Sequence, residues 1–87
     1  MTDALVVDRV LGVVTRVAGP ARTPPGAGPD TPLGDDGFWL DSVDLVEVVV
    51  ACELEFSISF EGETDITREA LATSRTLADL ISSKSAR

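Results

Sequence analysis

Valines recur along the first part of the chain at intervals of three and four positions. This spacing places them on one face and predicts an amphipathic helix over residues 3–18. Asp3 is placed to cap the start of this helix, and Gly19-Pro20 ends it. Because valine is a poor helix former, we expect the helix to depend on tertiary packing for its stability. The inward face consists of Val6, Val7, Val10, Val13, Val14 and Val17.

A second apolar stretch predicts a helix over residues 42–56, with Asp41 as its N-cap. Asp44 adds negative charge to the first turn, where the helix dipole is positive. The residues predicted to face inward are Leu45, Val48, Val49, Cys52 and Phe56.

The rest of the chain gives weaker patterns. Residues 19–40 hold all five prolines and five of the seven glycines, which predicts a long connection. Residues 57–60 alternate in polarity, but without a partner strand they are interpreted as an extended loop. A short helix is predicted at about 67–72 and a last helix at about 76–84. Together these elements predict a single all-α domain over 1–87, a small four-helix bundle with a long first loop and a short third helix.

The charge of the chain is strongly acidic and unevenly distributed. The net charge is −8, and between Thr23 and Thr67 there are eleven acidic residues and no Lys or Arg. Such a surface repels phosphate backbones and anionic membranes, so neither nucleic acid nor membrane is an expected partner. It suits docking onto basic patches of other proteins, although acidic surfaces also serve solubility alone.

The single cysteine and the N-terminal residues bear on the compartment. Cys52 cannot form an internal disulfide, which fits a reducing environment, and its place on the predicted helix favours a buried structural thiol over a redox-active one. Met1-Thr2-Asp3 carries an acid instead of the basic start of a signal peptide. No segment approaches the roughly 18 apolar residues that span a membrane. We therefore expect a cytoplasmic monomer.

The sequence lacks the residue types that common catalytic sites need. Without histidine it cannot build a Ser–His or Cys–His pair, and its one lysine, Lys84, lies in the tail. It has no GxxxxGK[ST] phosphate loop and no Cys and His cluster for zinc. Asp35-Asp36-Gly37 does not fit a calcium loop, because Pro32, Gly34 and Val43 would occupy ligand positions. We expect a protein that is not an enzyme, with no catalytic residues and no metal site.

Ser42 is the remaining candidate for chemistry. It lies where the long loop meets the predicted second helix, so its hydroxyl should be exposed. A phosphodiester on its oxygen would lie at the positive end of the helix dipole. Nothing in the chain would activate the hydroxyl, so an external enzyme must modify it. Taken alone, Asp-Ser before an apolar run is more often a plain helix cap.

A longer string around this serine resembles a known signature. Asp41-Ser42-Val43-Asp44-Leu45-Val46-Glu47, continuing to Glu53-Leu54-Glu55-Phe56, resembles the phosphopantetheine attachment motif of acyl carrier proteins. The resemblance extends, more weakly, to the length, the charge and the order of the helices. It implies that a phosphopantetheinyl transferase moves 4′-phosphopantetheine from coenzyme A to Ser42, using magnesium. The thiol of this arm would then carry acyl groups as thioesters between enzymes.

The resemblance also implies that the second helix docks onto enzymes that load or use the acyl group. Its carboxylates would meet Arg and Lys of basic docking patches, and its valines would form a small apolar centre. We expect Val43 to be exposed, whereas core packing is an equal alternative for Val46 and Val50. The docking residues, matched position by position, are Asp41, Val43, Asp44, Val46, Glu47, Val50 and Glu53.

The residues before the serine depart from the commonest members of that family. Trp39-Leu40 stands where fatty-acid carriers usually have Gly-Ala and peptide-synthetase carriers often have Gly-Gly-His before the serine. This departure favours a free-standing carrier of a polyketide-like pathway, with peptidyl, aminoacyl or fatty-acid carriers as alternatives. Trp39 either shapes partner access or fills the core, and we favour the core.

Two readings without a phosphopantetheine arm stay open. One is an acidic helical interaction module in which Ser42 is only a cap. The other is a regulatory domain phosphorylated at Ser42, which would use the same exposed hydroxyl.

Overall fold

The computed structural model describes residues 3–85, and for residues 63, 64 and 85 it describes the backbone alone. Met1 and Thr2 of the acidic N-terminal stretch therefore lie outside the described residues. Within 3–85 the chain is all-α, and no helix there combines the length and apolarity needed to cross a membrane. The helices are α1 (Ala4–Ala18), α2 (Ser42–Phe56), the single-turn α3 (Gly62–Asp65) and α4 (Ser74–Ser85).

The predicted four-helix bundle is not confirmed. Three helices of 12 to 15 residues form the globule, while α3 has only four residues. The extended stretch after α2 forms no strand, and an isolated bridge between Pro32 and Thr73 is the one β-type pairing within the described residues.

Helix α1 is the central element, since it packs against both α2 and α4. Asp3 caps its start and accepts a hydrogen bond from the backbone N–H of Leu5 at 2.8 Å. Gly19 ends it with a φ of 77°, a conformation that favours glycine. The predicted valine face is confirmed, with Val6 and Val17 only partly buried at its edges. The buried residues of α1 are Val7, Val10, Val13, Val14 and Ala18.

The other two long helices complete the core with fewer residues. Val48 and Cys52 of α2 are fully buried, and the predicted inward residues Leu45 and Phe56 pack against the core while partly exposed. Arg9 of α1 fastens the far end of α2, because it donates to the carboxylate and the backbone carbonyl of Glu55. Its guanidinium also lies 4.4 Å from the centre of the Phe56 ring. The core residues from α4 are Leu77, Ala78 and Ile81.

The long loop is held firmly where it approaches α2. Leu33, Phe38 and Leu40 are buried in the core. The Phe38 N–H donates to the carbonyl of Pro32, and the Leu40 N–H donates to the carbonyl of Leu33, both at 2.9 Å. The Leu33 N–H in turn donates to the carbonyl of Ala72 at 3.0 Å, just before α4. These bonds fix the point at which α2 begins.

The short helix predicted at about 67–72 is wrong. That segment forms turns, and the short helix lies earlier, at Gly62–Asp65. One i→i+4 bond forms, from the Leu71 N–H to the carbonyl of Thr67, and the Ala72 N–H then bonds to the carbonyl of Glu69 instead. The Ala70 N–H donates to the Thr67 hydroxyl at 3.1 Å, so local side-chain bonding supports turns here.

The last helix begins two residues before the predicted start at Thr76. Thr73 and Thr76 cap each other: the Thr76 N–H donates to the Thr73 hydroxyl at 3.1 Å, and the Thr73 N–H donates to the Thr76 hydroxyl at 3.0 Å. This is the reciprocal pattern of a capping box, with a threonine in place of the usual Glu or Gln. The helix therefore includes Ser74 and Arg75.

We predict that Gly37→Ala destabilises the protein while Gly34→Ala does not. A Cβ on Gly37 would overlap the carbonyl oxygen of Pro32 and lie 2.8 Å from its carbonyl carbon, whereas a Cβ on Gly34 meets nothing within 4 Å. The free energy of unfolding, measured by urea titration, should fall by about 1–3 kcal/mol for Gly37→Ala. It should change by no more than about 0.5 kcal/mol for Gly34→Ala. Equal effects of the two substitutions would contradict the tight turn over residues 32–40.

Candidate functional site

Ser42 is the first residue of α2, and its side chain is exposed. The residues beside it form a capping box. The Asp44 N–H donates to the Asp41 carboxylate at 2.9 Å, and the Asp41 N–H donates to the Asp44 carboxylate at 3.1 Å. Within the described residues, the Ser42 hydroxyl makes no hydrogen bond. The helix cap is thus supplied by Asp41, as predicted, and the serine oxygen is left available for modification.

Arg22 ties this helix start to the end of α1. Its guanidinium binds both oxygens of Asp44, at 2.5 and 3.3 Å. It also donates to the backbone carbonyls of Ala18 and Val17, at 3.1 and 3.3 Å. Those carbonyls belong to the last turn of α1, which has no helical partner for them. Arg22 therefore satisfies the end of one helix and holds the capping carboxylate of the next.

This arrangement lowers the pKa of Asp44 to about 2. The main cause is the hydrogen bond from Arg22, and the bond from the Asp41 backbone N–H adds to it. The same pair raises the pKa of Arg22. Asp44 therefore stays ionised, and its charge is compensated within the chain.

An apolar groove of about 340 Å³ opens beside Ser42. It lies between α2 and the stretch that runs from the start of α3 to Leu71. Its size lies near the lower end of the usual range for small-molecule sites, and its lining is almost entirely apolar. The lining residues are Ser42, Leu45, Val46, Val49, Gly62, Ile66 and Leu71.

The predicted docking residues divide into an exposed set and an engaged set. Asp41 and Glu47 are exposed, and so are the three valines, which decides the open alternative for Val46 and Val50 in favour of the surface. Asp44 and Glu53 are only partly exposed and are engaged within the chain, and the exposed Asp41 carboxylate also accepts a hydrogen bond, from the Asp44 N–H. Glu53 accepts a hydrogen bond from the Phe60 N–H at 2.9 Å and so holds the extended segment after α2. The exposed valines are Val43, Val46 and Val50.

The prediction that Trp39 fills the core is wrong. Its side chain is 60% exposed, while its neighbours Phe38 and Leu40 are buried. Trp39 has a φ of 56°, in the left-handed region, and this backbone turn directs the indole away from the core. No local sequence pattern predicts a left-handed backbone conformation at this tryptophan.

Leu54 is an exposed residue that the motif-based docking set omits. It is 79% exposed and lies on the same face of α2 as Val43, Glu47 and Val50. The spacing of 43, 47, 50 and 54 is helical, so the sequence pattern carried a signal for this position.

Cys52 is buried, as predicted. Burial raises the pKa of its thiol to about 12. The thiol is therefore protonated at neutral pH and has a structural role in the core.

Comparison of the chain with protein-family models, with curated proteins and with solved structures found no match in any of the three.

We predict that Arg22→Gln raises the pKa of Asp44 from about 2 toward, but not fully to, its ordinary value of about 3.9. The rise follows from losing the guanidinium, and it is incomplete because the Asp41 N–H still donates. Carboxyl carbon NMR through an acid titration measures this pKa directly. Arg16→Gln, at an exposed position of α1, is the matched control and should leave the Asp44 titration unchanged. An unchanged Asp44 pKa in Arg22→Gln would contradict the role of this pair.

The same pair predicts the pH dependence of stability. Because the pKa of Asp44 is lower in the folded state, its contribution is fully present above the unfolded pKa of about 3.9 and is lost as the pH falls toward about 2. Urea titrations between these pH values should show a steeper loss of stability in the wild type than in Arg22→Gln. If the stabilities of the two proteins fell in parallel with pH, the stabilising role of the Arg22–Asp44 pair would be contradicted.

Proposed function

We propose that this protein carries acyl intermediates as thioesters on a 4′-phosphopantetheine arm attached to Ser42. The proposal rests on the resemblance of residues 41–47 and 53–56 to the attachment signature of acyl carrier proteins. The observation that carries it is the placement of Ser42, whose exposed hydroxyl stands at the start of α2 and on the edge of an apolar groove. An acyl-carrier-like fold belongs to the same proposal, with α3 in the place of that family's short third helix.

The residues around Ser42 fit such an arm. A phosphodiester on the Ser42 oxygen would lie at the positive end of the α2 dipole. Of the two carboxylates nearby, Asp44 is already compensated by Arg22, which reduces its repulsion of a phosphate. The groove offers an apolar surface to the aliphatic part of the arm or of its cargo.

Attachment requires an enzyme, because the chain has no histidine to act as a base toward Ser42. In the proposed reaction the Ser42 oxygen attacks the phosphorus of coenzyme A that bears the pantetheine. The new P–O bond replaces the pyrophosphate bond, and adenosine 3′,5′-bisphosphate leaves. A base of the phosphopantetheinyl transferase would take the hydroxyl proton, and the magnesium that this enzyme uses would stabilise the negative charge of the leaving phosphate. Once bound, the arm supplies a thiol that holds acyl groups as thioesters.

The finer points of the proposal follow the sequence alone. The carrier would be a free-standing cytoplasmic monomer of a polyketide-like pathway and not itself an enzyme. Its partners would be the transferase and the enzymes that load or use the acyl group. Peptidyl, aminoacyl and fatty-acid cargo are the alternatives within the same function.

An interaction module without an arm is the second candidate function. The observation that favours it is the exposed apolar surface of α2, which is typical of protein contacts whether or not Ser42 is modified. Modification of Ser42 distinguishes the two.

We predict that the intact protein gains the mass of one phosphopantetheine on incubation with coenzyme A, magnesium and a broad-specificity phosphopantetheinyl transferase. Ser42→Ala should gain nothing, and Ser59→Ala, at another exposed serine, should be modified like the wild type. Intact-protein mass spectrometry gives the answer, with a known carrier as positive control. A folded protein that gains no mass while the control is modified would favour the interaction module.

We predict that Glu47→Lys weakens recognition by partner enzymes while leaving the helix content unchanged. Glu47 is exposed, and the reversed charge would repel a basic docking patch. The transferase serves as the partner in a titration at low salt, and circular dichroism reports the helix content. Glu69→Lys, exposed outside α2, is the matched control. If Glu47→Lys does not alter the titration, the docking role of this residue is contradicted.

A further inference from the structure

Asp44 has a different role in this structure from the one that the resemblance implies. Its carboxylate is one of the expected docking groups, yet its side chain is only 15% exposed. It accepts two hydrogen bonds from the guanidinium of Arg22, at 2.5 and 3.3 Å, and one from the backbone N–H of Asp41 at 3.1 Å. Because an ionised carboxylate has about four acceptor sites, Asp44 has little capacity left for a basic group of a partner.

Arg22 is itself fixed to the end of α1. Its backbone N–H donates to the carbonyl of Gly19 at 3.2 Å. Its guanidinium donates to the carbonyls of Val17 and Ala18, at 3.3 and 3.1 Å. These acceptors belong to the last turn of α1 and to the residue that ends it. The guanidinium therefore has a defined position relative to α1, independently of its contact with Asp44.

The first turn of α2 has few other supports. The side chain of Leu40 is buried, but the next buried side chain along the chain is that of Val48. Residues 41–43 are exposed, and Leu45 packs against the core only in part. The capping box and the ion pair of Arg22 therefore hold this turn, with the partial packing of Leu45 as the apolar contribution.

A second bidentate ion pair lies elsewhere on the surface. Arg75 donates to both carboxylate oxygens of Asp30, at 2.7 and 3.1 Å, and joins the start of α4 to the long loop. Its side chains are 50% and 72% exposed, so solvent screens their attraction and the pair should contribute little to stability. Neither residue belongs to α2. The Arg75–Asp30 pair therefore provides a control of the same chemistry as the Arg22–Asp44 pair.

We propose that Arg22 is a positioning residue for the modification of Ser42: it acts through Asp44 to hold the first turn of α2, and with it the Ser42 hydroxyl, in one orientation. Because the reaction concerned is the transfer of phosphopantetheine to Ser42, this inference rests on the proposed function. Arg22 and Asp44 take up no proton in that transfer. They determine where the Ser42 oxygen stands when it attacks the phosphorus of coenzyme A. Asp44 then belongs to the support of the site and not to the docking surface.

Loss of the pair should affect the reaction more than the binding of the transferase. Without Arg22 the first turn of α2 would open more often, since helix ends fray where their polar groups lose partners. The transferase could still bind the rest of the carrier, but the Ser42 oxygen would be misplaced in a larger fraction of the complexes. A misplacement of about 1 Å can slow a reaction by roughly 100-fold, so partial fraying should lower kcat about tenfold.

The test measures kcat and KM for the carrier with a broad-specificity phosphopantetheinyl transferase at saturating coenzyme A and magnesium. Arg22→Gln and Asp44→Asn should each lower kcat about tenfold. The double variant should lose no more than either single variant, because both substitutions remove the same pair. A docking role for Asp44 predicts opposite effects on KM. Asp44→Asn would then raise KM, whereas Arg22→Gln would free the carboxylate and lower KM.

Two further variants make the kinetic comparison specific. Arg75→Gln is the matched control, since it removes one positive charge and one bidentate pair outside α2, and it should keep the kcat and KM of the wild type. Arg22→Lys keeps the charge but lacks the planar fork that binds both carboxylate oxygens, so its kcat should lie between those of the wild type and Arg22→Gln. Circular dichroism establishes that each variant is folded under the assay conditions.

A second readout needs no transferase. Nitrogen-15 relaxation measures the order of individual backbone N–H groups on the picosecond to nanosecond timescale. The order parameter of the Ser42 N–H should fall in Arg22→Gln, while that of the Cys52 N–H, further along α2, should not change. Arg75→Gln should alter neither value.

The possible outcomes separate this inference from the function on which it rests. If the wild type is modified but Arg22→Gln keeps its kcat, or changes KM alone, the inference is overturned and the carrier function stands. Additive losses in the double variant, an equal loss in Arg75→Gln or an unchanged order parameter of Ser42 also overturn it. In case Arg22→Gln does not fold, a wild-type kcat in Arg22→Lys overturns it instead. If the wild type is not modified at all, both the carrier function and this inference fail.

Discussion

The presentation of Ser42 depends on the ion pair between Arg22 and Asp44. Arg22 binds the free carbonyls at the end of α1 and, through its guanidinium, both oxygens of Asp44. Asp44 also completes the capping box that begins α2. One bidentate pair therefore joins the end of the first helix to the start of the second, across a connection of more than twenty residues. The neighbours of Ser42 hold it in place, and its own hydroxyl makes no hydrogen bond to the described residues.

Internal pairing of carboxylates also determines the surface that partners would contact. An acidic chain of net charge −8 suggests recognition by many carboxylates, yet those of Asp41, Asp44 and Glu53 bind groups of this chain. The surface that α2 and the preceding Trp39 present outward is mainly apolar and ends at Leu54. Charge near Ser42 can still steer a basic partner, while the area available for contact is hydrophobic. The proposed carrier would thus combine electrostatic approach with apolar docking.

The features that could be predicted from the sequence are those set by interactions between residues close together in the chain. The valine spacing of α1 and the Asp41 cap of α2 are set within one or two turns of helix, and both were found. The helix predicted at 67–72 is absent, and turns form there instead, with the Thr67 hydroxyl accepting the N–H of Ala70. The core position predicted for Trp39 was wrong, because the side chain is exposed between two buried neighbours and the residue has a left-handed backbone conformation. The Arg22–Asp44 pair links positions 22 residues apart, and no periodic pattern points to it.

The central claim is that Ser42 carries a phosphopantetheine arm in the cell. Mass spectrometry of the protein purified from its own cells, digested after acidic residues, isolates the short segment around Ser42. The account predicts that a substantial fraction of this peptide carries phosphopantetheine on Ser42, with fragment ions that locate it on the serine. A peptide that is always unmodified, or that bears phosphate alone, would contradict the claim and favour an interaction module or a phosphorylated regulatory domain.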